Sequence, residues 1–199
     1  MTKADRWVFT YGSLMFRPET TFEGRGSAHL PDYQRGFCVY AVHNRETPTR
    51  RGLVLGVVPQ PGERARGIAY RVSDERWCEA YQSLVDREQA AGAYSEHWLT
   101  IDLKTDTAVR ALVFVGNPDR PTWAGDLTDT ERLAVTSAAT GRMGSNADYA
   151  IELEKTLGSL GIFDAGLSDL VEQFREMIPR RPDAYGSTTA QDQFHESTI

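Results

Sequence analysis

The first part of the chain alternates short apolar runs with polar, turn-forming residues. Runs rich in Val, Phe, Tyr and Ile that are bounded by Gly, Pro or Asn are typical of β-strands. This pattern predicts strands over residues 7–11, 36–42, 53–58, 66–72, 97–103 and 109–115. The polar link over residues 104–107 is short enough to join the last two of these strands as a hairpin.

From residue 128 onward, the apolar residues recur at helical spacing. The sequence Thr-Asp-Thr-Glu at 128–131 matches a capping box, which marks the beginning of a helix. A second helix is predicted to begin at Ser145 or Asn146 and to stop at Gly161, and a third is ended by Pro179. Strands in the first part and helices in the last predict an α+β fold rather than alternating β-α-β units.

Composition and charge narrow the classes of function. The 199 residues carry a formal net charge of −6, which argues against a general affinity for nucleic acid because phosphate binding needs basic surface. Cys38 and Cys78 form no CxxC pair and have apolar or aromatic neighbours, so both are predicted to be buried structural thiols. The histidines are scattered without metal-binding spacing, so we expect no metal site.

The organisation of the chain is simple. We expect one domain over residues 1–179, followed by a flexible tail over residues 180–199 that is polar and lacks periodicity. The N-terminal residues contain no apolar segment like that of a signal peptide, and no window resembles a membrane span. We therefore expect a cytoplasmic protein with no membrane partner.

Glu88 is the first candidate for chemistry. In the helix predicted to begin near residue 73, Trp77, Tyr81 and Leu84 define an apolar face, and Glu88 continues it at the same spacing. A carboxylate held on a core-facing surface is disfavoured in its charged form, which suits a base that works near neutral pH. The alternative is a glutamate at a fraying helix end that pairs with Arg87.

Two glycine-containing segments are further candidates. The sequence Tyr-Gly-Ser-Leu at 11–14 follows the first strand, where a Gly–Ser step permits a tight turn and can aim backbone N–H groups at an anion. In the segment 141–149, Asn146 is a plausible helix cap and Tyr149 would lie in the first turn, within reach of a cleft. Taken singly, each segment also fits an ordinary turn, or a cap with a packing tyrosine.

These segments occur together in an order that resembles the ChaC family of glutathione-specific γ-glutamylcyclotransferases, and its bacterial branch in particular. The resemblance extends over residues 6–178 and is carried by residues 7–15, 37–52, 66–70, 87–94, 141–149 and 160–170. Each motif is weak alone, whereas their ordered coincidence is specific. Thr10, Glu46 and Arg142 depart from the family pattern, at positions where the family usually has Gly, Gly and Pro.

The resemblance implies the γ-glutamylcyclotransferase-like fold, a small mixed β-barrel with helices packed around it. It also implies that Glu88 is the proton acceptor and that no metal or cofactor is needed. The residues expected to hold the γ-glutamyl group are Phe9, Thr10, Tyr11, Gly12, Ser13 and Leu14, with Tyr149 as a further contact.

The implied substrate is glutathione, which would be cleaved to 5-oxoproline and Cys-Gly. A monomer is expected, with a dimer as the alternative. Two other functions stay open: a cyclotransferase of the same fold that acts on other γ-glutamyl amines or amino acids, and a non-catalytic protein that binds γ-glutamyl compounds or regulates transport. The presence of Glu88 counts against the non-catalytic alternative. The sequence Gly-Ala-Tyr at 92–94 resembles that of the ChaC family and favours glutathione over free γ-glutamyl amino acids.

Overall fold

The structure of the protein is a computed structural model that describes residues 6–18, 20–41, 51–89, 92–141 and 144–177. Several positions on which the sequence analysis made predictions lie outside these residues. They are Val42 at the end of one predicted strand, Glu46, Arg142, and the segment 178–199 with Pro179 and the expected tail.

A closed barrel of five strands forms the body of the protein. Its strands are β1 (Arg6–Thr10), β2 (Gly24–Tyr40), β3 (Leu53–Val72), β4 (Tyr94–Leu103) and β5 (Ala108–Gly116). They follow one another around the barrel in the order β1-β3-β2-β4-β5. All neighbouring pairs are antiparallel except β1 and β5, which close the barrel as a parallel pair between Trp7–Val8 and Ala111–Leu112.

In the described part of the chain, four helices pack against this barrel: α1 (Asp74–Gln89), α2 (Asp129–Ala138), α3 (Asn146–Ser159) and α4 (Ala165–Met177). A two-stranded ladder of β6 (Thr140–Gly141) and β7 (Gly144–Ser145) precedes α3. The inner faces of α3 and α4 join the barrel interior in one apolar core, whereas α1 packs on the outside of β1 and β5. The α+β class and the predicted barrel are confirmed, and so is the capping box of Thr128 and Glu131 at the start of α2.

The paired strands β2 and β3 differ from the sequence-based prediction. Residues 24–35 were not predicted as a strand, and the two strands predicted over 53–58 and 66–72 are the two ends of β3. Pro59 and Arg64 both lie opposite Tyr33, so the residues between them form an excursion that leaves the regular ladder. These residues are exposed and rich in Pro and Gly, which is why the sequence pattern there resembles a chain break.

The cysteines also differ from expectation. Cys38 is buried in β2 as predicted, but Cys78 is exposed on α1. Its apolar neighbour Trp77 is only partly buried, and position 78 is rotated away from the face that Ala80 and Leu84 bury. Among the described helices, none has the length and apolar character needed to cross a bilayer.

Candidate active site

A cavity of about 410 Å³ opens where β1 ends and the following turn begins. Every candidate site residue from the sequence contributes to its wall. These are Phe9, Thr10, Tyr11, Gly12, Ser13, Leu14, Glu88 and Tyr149. The wall also contains residues that the sequence analysis did not assign to a site, namely Arg17, Val54, Leu55, Arg87, Tyr94 and Phe114.

Glu88 is the penultimate residue of α1 and faces this cavity. Its side chain is 15% exposed, and its Oε1 lies 3.1 Å from Nε of Arg87. Each of the two interpretations of Glu88 describes part of the geometry. The carboxylate lies near a helix end beside Arg87, as the alternative interpretation expected, and it also lines the cavity, as expected for a residue with a role in chemistry. The structure places a partly buried carboxylate within reach of a bound molecule.

Arg87 connects α1 to the turn that follows β1. Its guanidinium donates a hydrogen bond of 2.9 Å to Oγ of Ser13 and another of 3.1 Å to the carbonyl oxygen of Arg17. The same group is the ion-pair partner of Glu88. The planar fork of an arginine can satisfy several acceptors at once, so one side chain fixes the turn relative to the carboxylate.

The turn itself consists of Gly12 and a short 3₁₀ helix, Ser13–Met15. Gly12 has φ −130°, which other residues also adopt, so its backbone does not require glycine. A Cβ at this position would lie 3.7 Å from the hydroxyl of Tyr149 and would occupy the space between them. The predicted tight turn is present, since the N–H of Met15 donates to the carbonyl oxygen of Gly12 at 3.0 Å, and the glycine also leaves the cavity open at this point.

The backbone N–H groups of this turn are available for a ligand. The first N–H groups of a helical turn have no partner within it. Within the described parts of the chain, the hydrogen bonds of Gly12 and Ser13 use their carbonyl oxygens and the Ser13 hydroxyl, and none uses their N–H groups. Both residues line the cavity.

Two tyrosines contribute neutral phenols to the cavity wall. The Tyr11 hydroxyl donates to the carbonyl oxygen of Phe114 at 2.5 Å, and the Tyr94 hydroxyl donates to that of Leu55 at 2.6 Å. Burial raises the pKa of both phenols well above the ordinary value, and the nearby charge of Glu88 raises it further. Both groups therefore stay protonated at neutral pH and add no charge to the site.

Tyr149 reaches the cavity from the first turn of α3, and Asn146 fixes that turn. Ser145, rather than Asn146, is the N-cap, because its hydroxyl accepts from the N–H of Asp148. The fully buried Asn146 side chain instead pairs with both backbone polar groups of Leu53, at 2.5 and 2.6 Å. The sequence prediction of Asn146 as a cap is wrong, because its amide satisfies the end of a strand 93 residues away.

Thr10, the first departure from the family pattern, fits the end of β1. It is buried, and its hydroxyl donates to the carbonyl oxygen of Ile68 on β3 at 3.1 Å. The threonine hydroxyl, which the glycine usual in the family would lack, is therefore accommodated by a hydrogen bond inside the barrel.

Among the described residues, no group of three His, Cys, Asp or Glu side chains could hold a metal ion.

Solved structures with the same architecture define the class of this fold. The crystal structure of a γ-glutamyl cyclotransferase specific to glutathione from yeast has a TM-score of 0.78 at 22% identity, covering 87% of this chain and 96% of that one. Another γ-glutamyl cyclotransferase has a TM-score of 0.52 at 12% identity, covering 93% of this chain and 95% of that one. The protein thus has the γ-glutamylcyclotransferase fold.

Sequence comparisons specify the family. The family model for ChaC-like proteins matches residues 6–177. The glutathione-specific γ-glutamylcyclotransferase of Escherichia coli is 33% identical over 172 residues, covering 86% of this chain and 74% of that protein. The human glutathione-specific γ-glutamylcyclotransferase 1 is 25% identical over 177 residues, covering 87% and 80%. The chain belongs to the ChaC-like family.

Proposed function

We propose that this protein cleaves the γ-glutamyl bond of glutathione by cyclotransfer and releases 5-oxoproline and Cys-Gly. The observation that carries the proposal is the partly buried carboxylate of Glu88 in the wall of a cavity that the turn after β1 also lines. The names of the bacterial and human relatives support glutathione as the substrate.

Glu88 is the acid/base group in this proposal. It takes a proton from the α-ammonium group of the γ-glutamyl moiety, and the freed amine attacks the γ-carbonyl carbon of the same residue. A carbon–nitrogen bond forms within the five-membered lactam, and the bond to the cysteine nitrogen breaks. Glu88 then returns this proton to the leaving nitrogen as its bond to the γ-carbon breaks. The attacking nitrogen loses a second proton, again through Glu88, to the released amine, so that Cys-Gly leaves as an ammonium, no water is consumed and the carboxylate is regenerated.

The turn after β1 supplies positioning and charge stabilisation. The N–H groups of Gly12 and Ser13 are the proposed donors to the α-carboxylate or to the oxyanion that develops on the γ-carbonyl. Holding the nucleophilic amine against the carbonyl can be worth on the order of 7–11 kcal/mol of the barrier in favourable cases. Arg17, which is 45% exposed in the cavity wall and lies 3.6 Å from the carboxylate of Glu152, is the proposed partner of the glycine carboxylate of glutathione.

An internal amine makes a protein nucleophile unnecessary. Burial raises the pKa of Cys38 to about 11, so its thiol is protonated at neutral pH and is a poor nucleophile. The two free cysteines also fit a reducing compartment, and we propose a cytoplasmic enzyme. We propose a monomer as the active form, with a dimer as the alternative.

An assay of 5-oxoproline release from glutathione tests the proposal, with γ-Glu-Ala as the matched substrate. We expect a preference for glutathione, because the carboxylate of γ-Glu-Ala lies one residue closer to the γ-carbonyl and cannot reach Arg17 in the same way. Comparable kcat/KM for the two compounds would instead assign the protein to the broader γ-glutamyl class. No release from either would contradict cyclotransfer.

A further inference from the structure

Arg35 lies on β2, behind the turn that lines the substrate cavity. Its side chain is only 4% exposed and lines a second cavity of about 250 Å³, whose wall shares Leu55 with the first. One of its terminal nitrogens, Nη1, donates to the carbonyl oxygens of Tyr11 and Arg66, both at 3.0 Å. A buried arginine therefore holds the backbone of a cavity residue from the side away from the cavity.

Asp164 neutralises this buried cation. Its Oδ2 accepts from Nε of Arg35 at 2.9 Å and from Nη2 at 2.5 Å, a two-point contact that fixes the guanidinium plane. Its other oxygen accepts from the N–H of Leu167 at 3.0 Å, at the beginning of α4. The pair thus joins the connection before α4 to the turn after β1.

The peptide group between Tyr11 and Gly12 is trans, because the described residues contain no cis peptide bond. In a trans peptide the N–H points opposite to the C=O of the same plane. The carbonyl oxygen of Tyr11 points to Arg35, so the N–H of Gly12 points to the other side. Gly12 lines the substrate cavity, and within the described residues its N–H makes no hydrogen bond.

We infer that Arg35, held in place by Asp164, is a positioning residue that directs the N–H of Gly12 into the substrate cavity. The inference rests on the proposed function, in which this N–H binds the α-carboxylate or the developing oxyanion of the γ-glutamyl group. The hydrogen bond from Arg35 also polarises the Tyr11–Gly12 peptide and makes its N–H a stronger donor. Neither Arg35 nor Asp164 needs to touch the substrate.

A simple structural tie between the barrel and α4 would explain the same contacts, so the test must separate stability from catalysis. The double variant Arg35→Met/Asp164→Asn leaves no unpaired buried charge, and asparagine keeps a cap for α4. We expect its melting temperature to fall, because the carbonyl oxygens of Tyr11 and Arg66 lose a donor, and its kcat/KM, measured where the variant is fully folded, to fall about tenfold to a hundredfold. A fall in kcat would assign the N–H to the oxyanion, and a rise in KM would assign it to the α-carboxylate.

A double variant that folds and keeps kcat/KM within about twofold of the wild type would overturn the inference. The single variant Arg35→Lys covers the case in which the double variant does not fold. Lysine keeps the charge beside Asp164 but lacks the fork that reaches the Tyr11 carbonyl at the same time. Arg64→Lys, the same change at an exposed arginine on β3, is the matched control and should have normal turnover.

A crystal structure of Arg35→Lys distinguishes failure of this inference from failure of the proposed function. A turned Tyr11–Gly12 peptide supports the positioning role, and an unchanged peptide overturns it. This result does not depend on which substrate the protein uses. Wild-type protein that releases no 5-oxoproline would contradict the proposed function and leave the orientation of the peptide as the deciding measurement.

Discussion

Glu88 and Glu79 lie on the same helix but in different surroundings. Glu79 is exposed to solvent, whereas Glu88 is mostly covered and faces the cavity. The spacing of apolar residues along α1 was sufficient to predict which side Glu88 faces. The spacing could not predict the contacts of Arg87 with Ser13 and Arg17, because these residues lie 74 and 70 positions away along the chain.

We expect Glu88→Gln to lower kcat by at least about a hundredfold, which is the lower end of the usual contribution of a general acid or base. Glutamine keeps the size and helix propensity of the residue and removes the titratable carboxylate. KM should change much less, because the turn after β1 is proposed to hold the γ-glutamyl group. Steady-state assays of 5-oxoproline release would measure both constants.

Glu79→Gln is the matched control for this experiment, and we expect it to have the turnover of the wild type. A folded Glu88→Gln protein with more than about a tenth of the wild-type kcat would exclude Glu88 as the general base. Glu46 would then be the next acid to replace.

At the scale of elements, the junction between α3 and β3 shows what holds Tyr149 at the cavity. Asn146 satisfies the N–H and C=O of Leu53 where β3 begins, and the ring of Tyr149 packs edge-on against Phe37 at a centroid distance of 6.1 Å. The sequence predicted the start of α3 but assigned the wrong role to Asn146. A helix cap can be predicted from neighbouring residues, because its hydrogen bonds are local. A side chain that pairs with a distant strand produces no recognisable pattern in the sequence.

Asn146→Ala should lower the free energy of unfolding by about 2–4 kcal/mol, because two buried backbone groups would lose their partners. Urea denaturation followed by circular dichroism would measure the change. Ser145→Ala removes only the N-cap and should cost about 1 kcal/mol. Equal losses for the two variants would mean that water or a rearranged side chain replaces the asparagine.

At the scale of the whole molecule, the order of strands and helices was sufficient to predict the α+β class, while the barrel itself came from the resemblance to a family. The periodicity of apolar residues could not predict that β1 pairs with β5, because Trp7 and its partner Ala111 are in the first and last strands of the barrel sequence. It also divided β3 in two, because Pro59 and Gly62 are turn formers wherever they occur.

Removal of residues 182–199 should leave the melting temperature and kcat nearly unchanged. This segment is polar, and the family match ends at residue 177. As a control, a truncation that also removes α4 would take away the buried side chains of Val171 and Phe174, which are 0% and 1% exposed, and should unfold the protein. A large loss of stability on removal of residues 182–199 alone would place part of that segment in the folded domain.

The hydrogen bond between Tyr11 and Phe114 joins residues that are 103 positions apart and both line the cavity. At a synthesis rate of about 5–20 residues per second, roughly 5–20 s separate the appearance of these two residues on the ribosome. During that interval, the edge of β1 that will pair with β5 is open to other strands. A nascent chain that stalls before Phe114 therefore lacks this cavity and has an unpaired sheet edge, a feature that favours aggregation.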